Sequence, residues 1–196
     1  ERNIIANILT HSSIIGNVLI GAVLYQGISL TGVCSYNLVA GNIVINSKDY
    51  GIQISATSTY NSVIGNMCDD SQVTPTQLYH IADYGDHTFI TGNYLTSRYA
   101  TGAIYKAGTN TIIRNNKGYV TENSSTATIT AAATTVVVTH GLATTPTRVF
   151  VSPTLLSSSN KWWVTTLTTT QFTINVDVVP GAGTAIFDWK AQVGEG

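Results

Sequence analysis

The titratable side chains best placed to act together lie between residues 69 and 87. Asp69 and Asp70 are adjacent, Asp83 and Asp86 follow one segment later, and His80 and His87 are interleaved with them. Two carboxylates flanking a glycosidic bond can hydrolyse it. A gap of about 6.5–9.5 Å suits inversion, and about 5–5.5 Å suits retention. Asp69, Asp70, Asp83 and Asp86 are therefore the candidate acids. Saccharide or cation binding is a second role for them. The plainest role is that of turn formers in solvated loops. Asp69 and Asp70 have no EF-hand spacing. Cys34 and Cys68 belong to no CxxC or Cys/His cluster, so no metal and no cofactor is expected. His140 stands before Gly141 as a turn residue, and no Gly-x-Ser-x-Gly elbow accompanies it.

A second set emerges when the chain is aligned on its own repeat. His11, Tyr36, Tyr60, His87 and Asn110 fall at one equivalent position. They predict an outward column with a step of about 4.8 Å. Aromatic faces are apolar and their tips form hydrogen bonds, so such a stripe could stack sugar rings. Tyr36, Tyr60, His87 and the nearby His80 are the carbohydrate-binding candidates. The alternative is a ladder that only stabilises a corner, or a strip buried between subunits.

The elements that must position these residues come from a repeated phrase. Asn37-Leu38-Val39-Ala40-Gly41-Asn42 returns as Asn61-Ser62-Val63-Ile64-Gly65-Asn66 and as Thr88-Phe89-Ile90-Thr91-Gly92-Asn93. An early copy ends at Asn17 and a worn one at Asn116. The closing asparagines 17, 42, 66, 93 and 116 are separated by 25, 24, 27 and 23 residues. A fixed period in this range marks stacked architectures. The apolar runs alternate, are rich in Ile and Val, and are too short for helices. Three short strands per repeat predict a parallel β-solenoid of about five turns and about 24 Å. Asn17, Asn42, Asn66, Asn93 and Asn116 should form an amide ladder. They are also the residues expected to turn the corner in a left-handed conformation. Val39, Val63, Ile90, Val44, Cys68 and Leu95 should point inward. Asn7 and Asn17 are only ten residues apart, so the first turn is truncated or differently phased.

Of 196 residues 43% are hydrophobic and only 10% charged, with a net charge of −1. That supports a core and leaves no basic run for nucleic acid. No apolar stretch is long enough to insert into a membrane as a helix. The chain does not begin with Met and shows no signal peptide, which reads as an excised fragment or mature product. Cys68 is expected to be a buried free thiol.

The grammar changes near Val120. Residues 122–133 read as a linker or first strand. Thr134–Thr139, Thr147–Ser152, Lys161–Leu167, Gln171–Val178 and Ala185–Val193 read as five longer strands. Turn signals separate them, including Ser157-Ser158-Ser159-Asn160 and Pro180-Gly181-Ala182-Gly183. The expected domains are a β-helix over 1–121 and a small antiparallel β-sandwich over 134–196. Phe187 and Trp189 share a face and should enter its core. Trp162 and Trp163 face opposite sides, so one should be core and the other exposed.

The Asn-Gly phrases and the Gly27-Ile28-Ser29-Leu30 and Gly51-Ile52-Gln53-Ile54 runs resemble the right-handed parallel β-helix of the pectate-lyase-like group. Thr139-His140-Gly141-Leu142, Phe172-Thr173-Ile174-Asn175 and Phe187-Asp188-Trp189-Lys190-Ala191 resemble the small β-sandwiches that follow β-helices in bacteriophage tail spikes and tail fibres. The resemblance implies an all-β homotrimer, intertwined or side by side, carried on the virion tail and binding a bacterial surface polysaccharide. Whether it also implies an enzyme is left open. The alternatives are a polysaccharide hydrolase or lyase with its active face on the rod, and a bacterial adhesin or stalk. Physics favours assembly independently. A sandwich of about 70 residues is marginal alone, and a solenoid needs its open end capped.

Overall fold

The computed structural model describes residues 3–22, 24–157, 161–181 and 183–193. The turn residues Ser158, Ser159, Asn160 and Ala182 lie outside these. The chain divides between Tyr119 and Val120 into two compact units. Both are all-β, and among the described residues there is no helix long and apolar enough to cross a membrane.

Among the described residues the first unit is a β-solenoid of about five turns, each contributing one short strand to two parallel sheets and four of them one to a third. The first sheet stacks β1 (Ile4–Asn7), β4 (Ile28–Thr31), β7 (Tyr50–Ile54), β10 (Tyr79–Asp83) and β13 (Gly102–Lys106). The second stacks β2 (Ser13–Ile15), β5 (Leu38–Ala40), β8 (Ser62–Ile64), β11 (Phe89–Thr91) and β14 (Ile112–Arg114). The third stacks β3 (Val18–Ile20), β6 (Ile43–Ile45), β9 (Met67–Asp69) and β12 (Tyr94–Leu95).

Register places like on like. Ile4, Ile28, Ile52, Ile81 and Ile104 form one file in the first sheet. Val39, Val63 and Ile90 form another in the second sheet, and Val44, Cys68 and Leu95 a third. All three meet in one apolar core. Each fully buried Ile or Val contributes about 1.5–3 kcal/mol. Cys34 and Cys68 are both buried and free, and burial raises the Cys68 thiol to about 12. Asn7 pairs with Thr31 in the first sheet and so lies outside the asparagine file. That explains its odd spacing from Asn17.

The asparagine file sits at the corner between the second and third sheets. The Nδ2 groups of Asn17, Asn42, Asn66 and Asn93 each donate to Oδ1 of the asparagine one turn on, at 3.0, 2.9, 3.0 and 2.8 Å. The same Oδ1 atoms accept the backbone N–H of the preceding rung. The left-handed residue at this corner is not the ladder asparagine, as the sequence suggested, but the residue before it. Gly16, Gly41, Gly65, Gly92 and Asn115 have φ of 69, 61, 63, 65 and 55°. The ladder asparagine keeps an ordinary φ, which leaves its amide free to aim along the stack.

Among its described residues the second unit has six strands: β15 (Glu122–Ile129), β16 (Thr135–Thr139), β17 (Arg148–Leu155), β18 (Trp162–Thr165), β19 (Gln171–Val176) and β20 (Ala185–Gln192). They form two antiparallel three-stranded sheets, β15-β20-β17 and β16-β19-β18. Residues 122–129 are a full strand, paired to β20 over eight positions. Phe172, Ile174, Phe187 and Trp189 are the bulk of the core that both sheets share. Trp162 and Trp163 depart from expectation, because both are exposed. β18 is an edge strand of four residues in which Val164, and neither tryptophan, packs against the core.

Candidate functional site

Of the four candidate acids, Asp69, Asp70 and Asp83 are buried. Asp69 ends β9 and is nearly fully buried. It receives Nε and Nη2 of Arg98 at 3.1 and 2.7 Å and the Thr96 hydroxyl at 2.6 Å. Asp70 is fully buried and pins the loop that follows, accepting the backbone N–H groups of Gln72, Thr76 and Gln77 at 3.2, 2.7 and 2.8 Å. Asp83 ends β10 and is also fully buried. It takes Gly85 N–H and the Thr88 and Thr111 hydroxyls at 3.1, 2.8 and 2.5 Å. Burial raises its pKa against the pull of those donors and of Lys106. These three are therefore buried rather than solvated, and Asp70 and Asp83 close turns by accepting the N–H two residues on. Asp86 alone is exposed. Thr109, His87 and Asn110 donate to it and hold its pKa at about 2.

His80 is likewise buried, which removes it from the surface where a sugar could reach it. Its Nε2 faces the Thr96 carbonyl at 3.1 Å and must carry the hydrogen, leaving Nδ1 to accept from Gln77 Nε2 at 2.5 Å. Burial lowers its pKa despite the Thr96 carbonyl, Asp69 and Asp70 nearby. The neutral ring thus ties the inserted loop to β10. His140 is also a buried brace, not a turn residue. It accepts Leu142 N–H on Nδ1 and donates from Nε2 to the Thr168 carbonyl.

The aligned column is a continuous stack. His11, Tyr36, Tyr60 and His87 have centroid separations of 5.0, 5.0 and 4.6 Å, with planes within 25° of one another. With Asn110 they all occupy the left-handed region, at φ of 50, 58, 55, 54 and 50°. That conformation costs about 1–2 kcal/mol per residue outside glycine. Stacking returns about 0.5–1.5 kcal/mol per pair. Because each ring lies on its neighbours, the faces of Tyr36 and Tyr60 are occupied and only their edges are presented. The geometry is that of a corner-stabilising ladder.

A different aromatic group lies on the first sheet. Tyr50, Tyr79, Tyr105 and Tyr84 form a closed circuit, with successive centroid separations of 6.4, 5.1, 5.4 and 6.3 Å. The Tyr50 and Tyr84 hydroxyls are 2.9 Å apart. Register sets Tyr50 directly against Tyr79, and Ala82 between Gln53 and Tyr105. Ala82 is fully buried yet belongs to no part of the apolar core. It follows the inward Ile81 and so faces outward, beneath the rings. Tyr50 and Tyr105 fall at different phases of the repeat, Tyr50 in register with Tyr79 and Gly102 and Tyr105 with Ala82 and Gln53, so alignment alone does not bring the four rings together.

Comparison with known proteins places the fold. No protein-family model and no curated protein sequence matches the chain. Among solved structures, the tailspike protein gp49 from Pseudomonas phage LKA1 superposes with a TM-score of 0.50 and 13% identity. The match covers 94% of this chain and 45% of that one, so the chain spans less than half of that tailspike. The Pseudomonas phage phi297 tailspike gp61 matches 98% of this chain and 58% of its own, at 11% identity and a TM-score of 0.36. The Dettilon tailspike protein matches 96% and 56%, at 14% identity and 0.35. The fold of the chain is thus that of a tailspike-like β-helix, an assignment that rests on the first of these.

Proposed function

We propose that the chain is a distal piece of a phage tailspike or tail fibre that attaches the virion tail to a bacterial surface polysaccharide. In this reading the solenoid is a right-handed β-helix presenting the glycan-binding face. The two C-terminal sheets form a β-sandwich that holds three copies together. The observation that carries it is the fold match to the LKA1 tailspike, which extends over 94% of the chain and so includes both units.

The surface supports assembly. The second unit exposes Val137, Phe150, Trp162 and Trp163. The first exposes Ile15, Val18 and Ile20, each more than half accessible. Exposed apolar side chains of this kind are what a contact between copies would cover.

Attachment is favoured over cleavage because Asp69, Asp70, Asp83 and Asp86 are each engaged by several donors. Two measurements test the proposal. Sedimentation should give three times the 20.8 kDa chain mass. A panel of bacterial capsular and lipopolysaccharide glycans should show binding without release of reducing ends. A monomer at micromolar concentration refutes the clamp, and glycan release restores the depolymerase reading. Failure to bind any bacterial polysaccharide, with a trimer retained, leaves a structural stalk.

A further inference from the structure

We infer that Tyr50, Tyr79, Tyr84 and Tyr105 form a platform on the outer face of the first sheet that receives a pyranose ring of the polysaccharide. This rests on the attachment reading and gives it a location, one distinct from the Tyr36–Tyr60–His87 column.

The two aromatic groups differ in what they leave free. In the column the planes are nearly parallel, only 3° apart for Tyr36 and Tyr60, and each ring covers the next. In the circuit the planes are tilted by 32, 41, 55 and 64°. Rings at such angles meet obliquely or edge to face, so none lies flat against its neighbours as Tyr36 and Tyr60 do. Tyr105 is exposed, and the other three are partly so.

The platform is also held in place. Tyr79 lies over Gly102, where an added Cβ would stand 3.0 Å from its ring. Any side chain there would push the ring away. Ala82 supplies a small, flat floor between Gln53 and Tyr105. The Tyr50–Tyr84 hydroxyl bond fixes the far side. Burial and the Tyr50 hydroxyl raise the Tyr84 pKa, so Tyr84 stays protonated at neutral pH.

The chemistry suits a sugar. A pyranose has an apolar face of C–H groups for the ring faces and a rim of hydroxyls for the phenol tips and for Gln53. Asp83 on β10 is buried with its oxygens taken up, whereas Asp49 beside Tyr50 is partly exposed and Lys106 beside Tyr105 is exposed. With one accessible charge of each sign at the margin, the ligand is a neutral saccharide.

The test uses the full chain on immobilised bacterial capsular polysaccharides and lipopolysaccharide O-chains. Tyr79→Ala and Tyr105→Ala should each weaken binding at least tenfold, and Tyr84→Phe by a few-fold. Tyr25→Ala, an exposed tyrosine outside the circuit, should leave it unchanged. Tyr105 is the most exposed member, so its removal leaves the core intact, which an unchanged melting temperature would verify. Wild-type affinity in both alanine variants overturns the platform while leaving attachment in place. Displacement of the glycan by tetramethylammonium also overturns it, marking a cation cage instead. If the wild-type chain binds none of the polysaccharides, the attachment reading falls and the platform falls with it.

Discussion

Replacing Asn66 with alanine tests the asparagine ladder at its centre. The side chain makes four hydrogen bonds to neighbouring rungs. Its Oδ1 accepts the Asn42 backbone N–H and Asn42 Nδ2, and its Nδ2 donates to the Val39 carbonyl and to Asn93 Oδ1. Asn42, Val39 and Asn93 are all buried, so water cannot replace the lost partner. At about 0.5–1.5 kcal/mol for each bond, Asn66→Ala should cost about 2–6 kcal/mol. Asn17 is the internal control, because it begins the ladder. Its amide donates to Asn42 Oδ1 and to the Ile15 carbonyl, and it is not fully buried. Asn17→Ala should cost about 1 kcal/mol. Urea denaturation at one fixed protein concentration measures both. A loss for Asn66→Ala within about 1 kcal/mol of that for Asn17→Ala would refute the argument that burial and two-sided bonding give the ladder its strength.

At Tyr60, glycine should be less damaging than alanine by about 1 kcal/mol, because φ of 55° strains any residue with a Cβ; thermal unfolding of the two variants decides it, and equal losses would place the cost in stacking alone. His80 should make the protein acid-sensitive. Its folded pKa lies below the free value of 6.5, so the unfolded chain binds the proton more readily. Its contribution is whole above pH 6.5 and is lost as pH falls through the folded pKa. His80→Gln should flatten that slope relative to wild type in urea titrations across acid pH. The Asp86 carboxyl should titrate at about 2 by carbon-detected NMR, and Thr109→Val, which removes the largest cause, should move it up toward 3.8.

The sequence by itself determined the rod. A period near 24 residues, inward Ile and Val at fixed phase and an asparagine at each corner suffice, because parallel in-register stacking puts each residue beside its own equivalent. Alignment therefore located the Asn17–Asn116 ladder and the His11–Tyr36–Tyr60–His87 stack. It could not say that this stack consumes its own ring faces, since that depends on side-chain planes. Nor did it reveal that Asp69, Asp70, Asp83 and His80 are buried. Their partners lie elsewhere in the chain: Arg98 is 29 residues from Asp69, and Thr111 is 28 from Asp83. The insertion after Asp70 breaks the period, so repeat spacing no longer identifies neighbours. The tyrosine circuit has the same origin, with Tyr50 and Tyr84 separated by 34 residues. Periodicity transmits contacts between equivalent positions, whereas contacts between positions of different phase are set only when the chain has coiled and the inserted loop has taken its path.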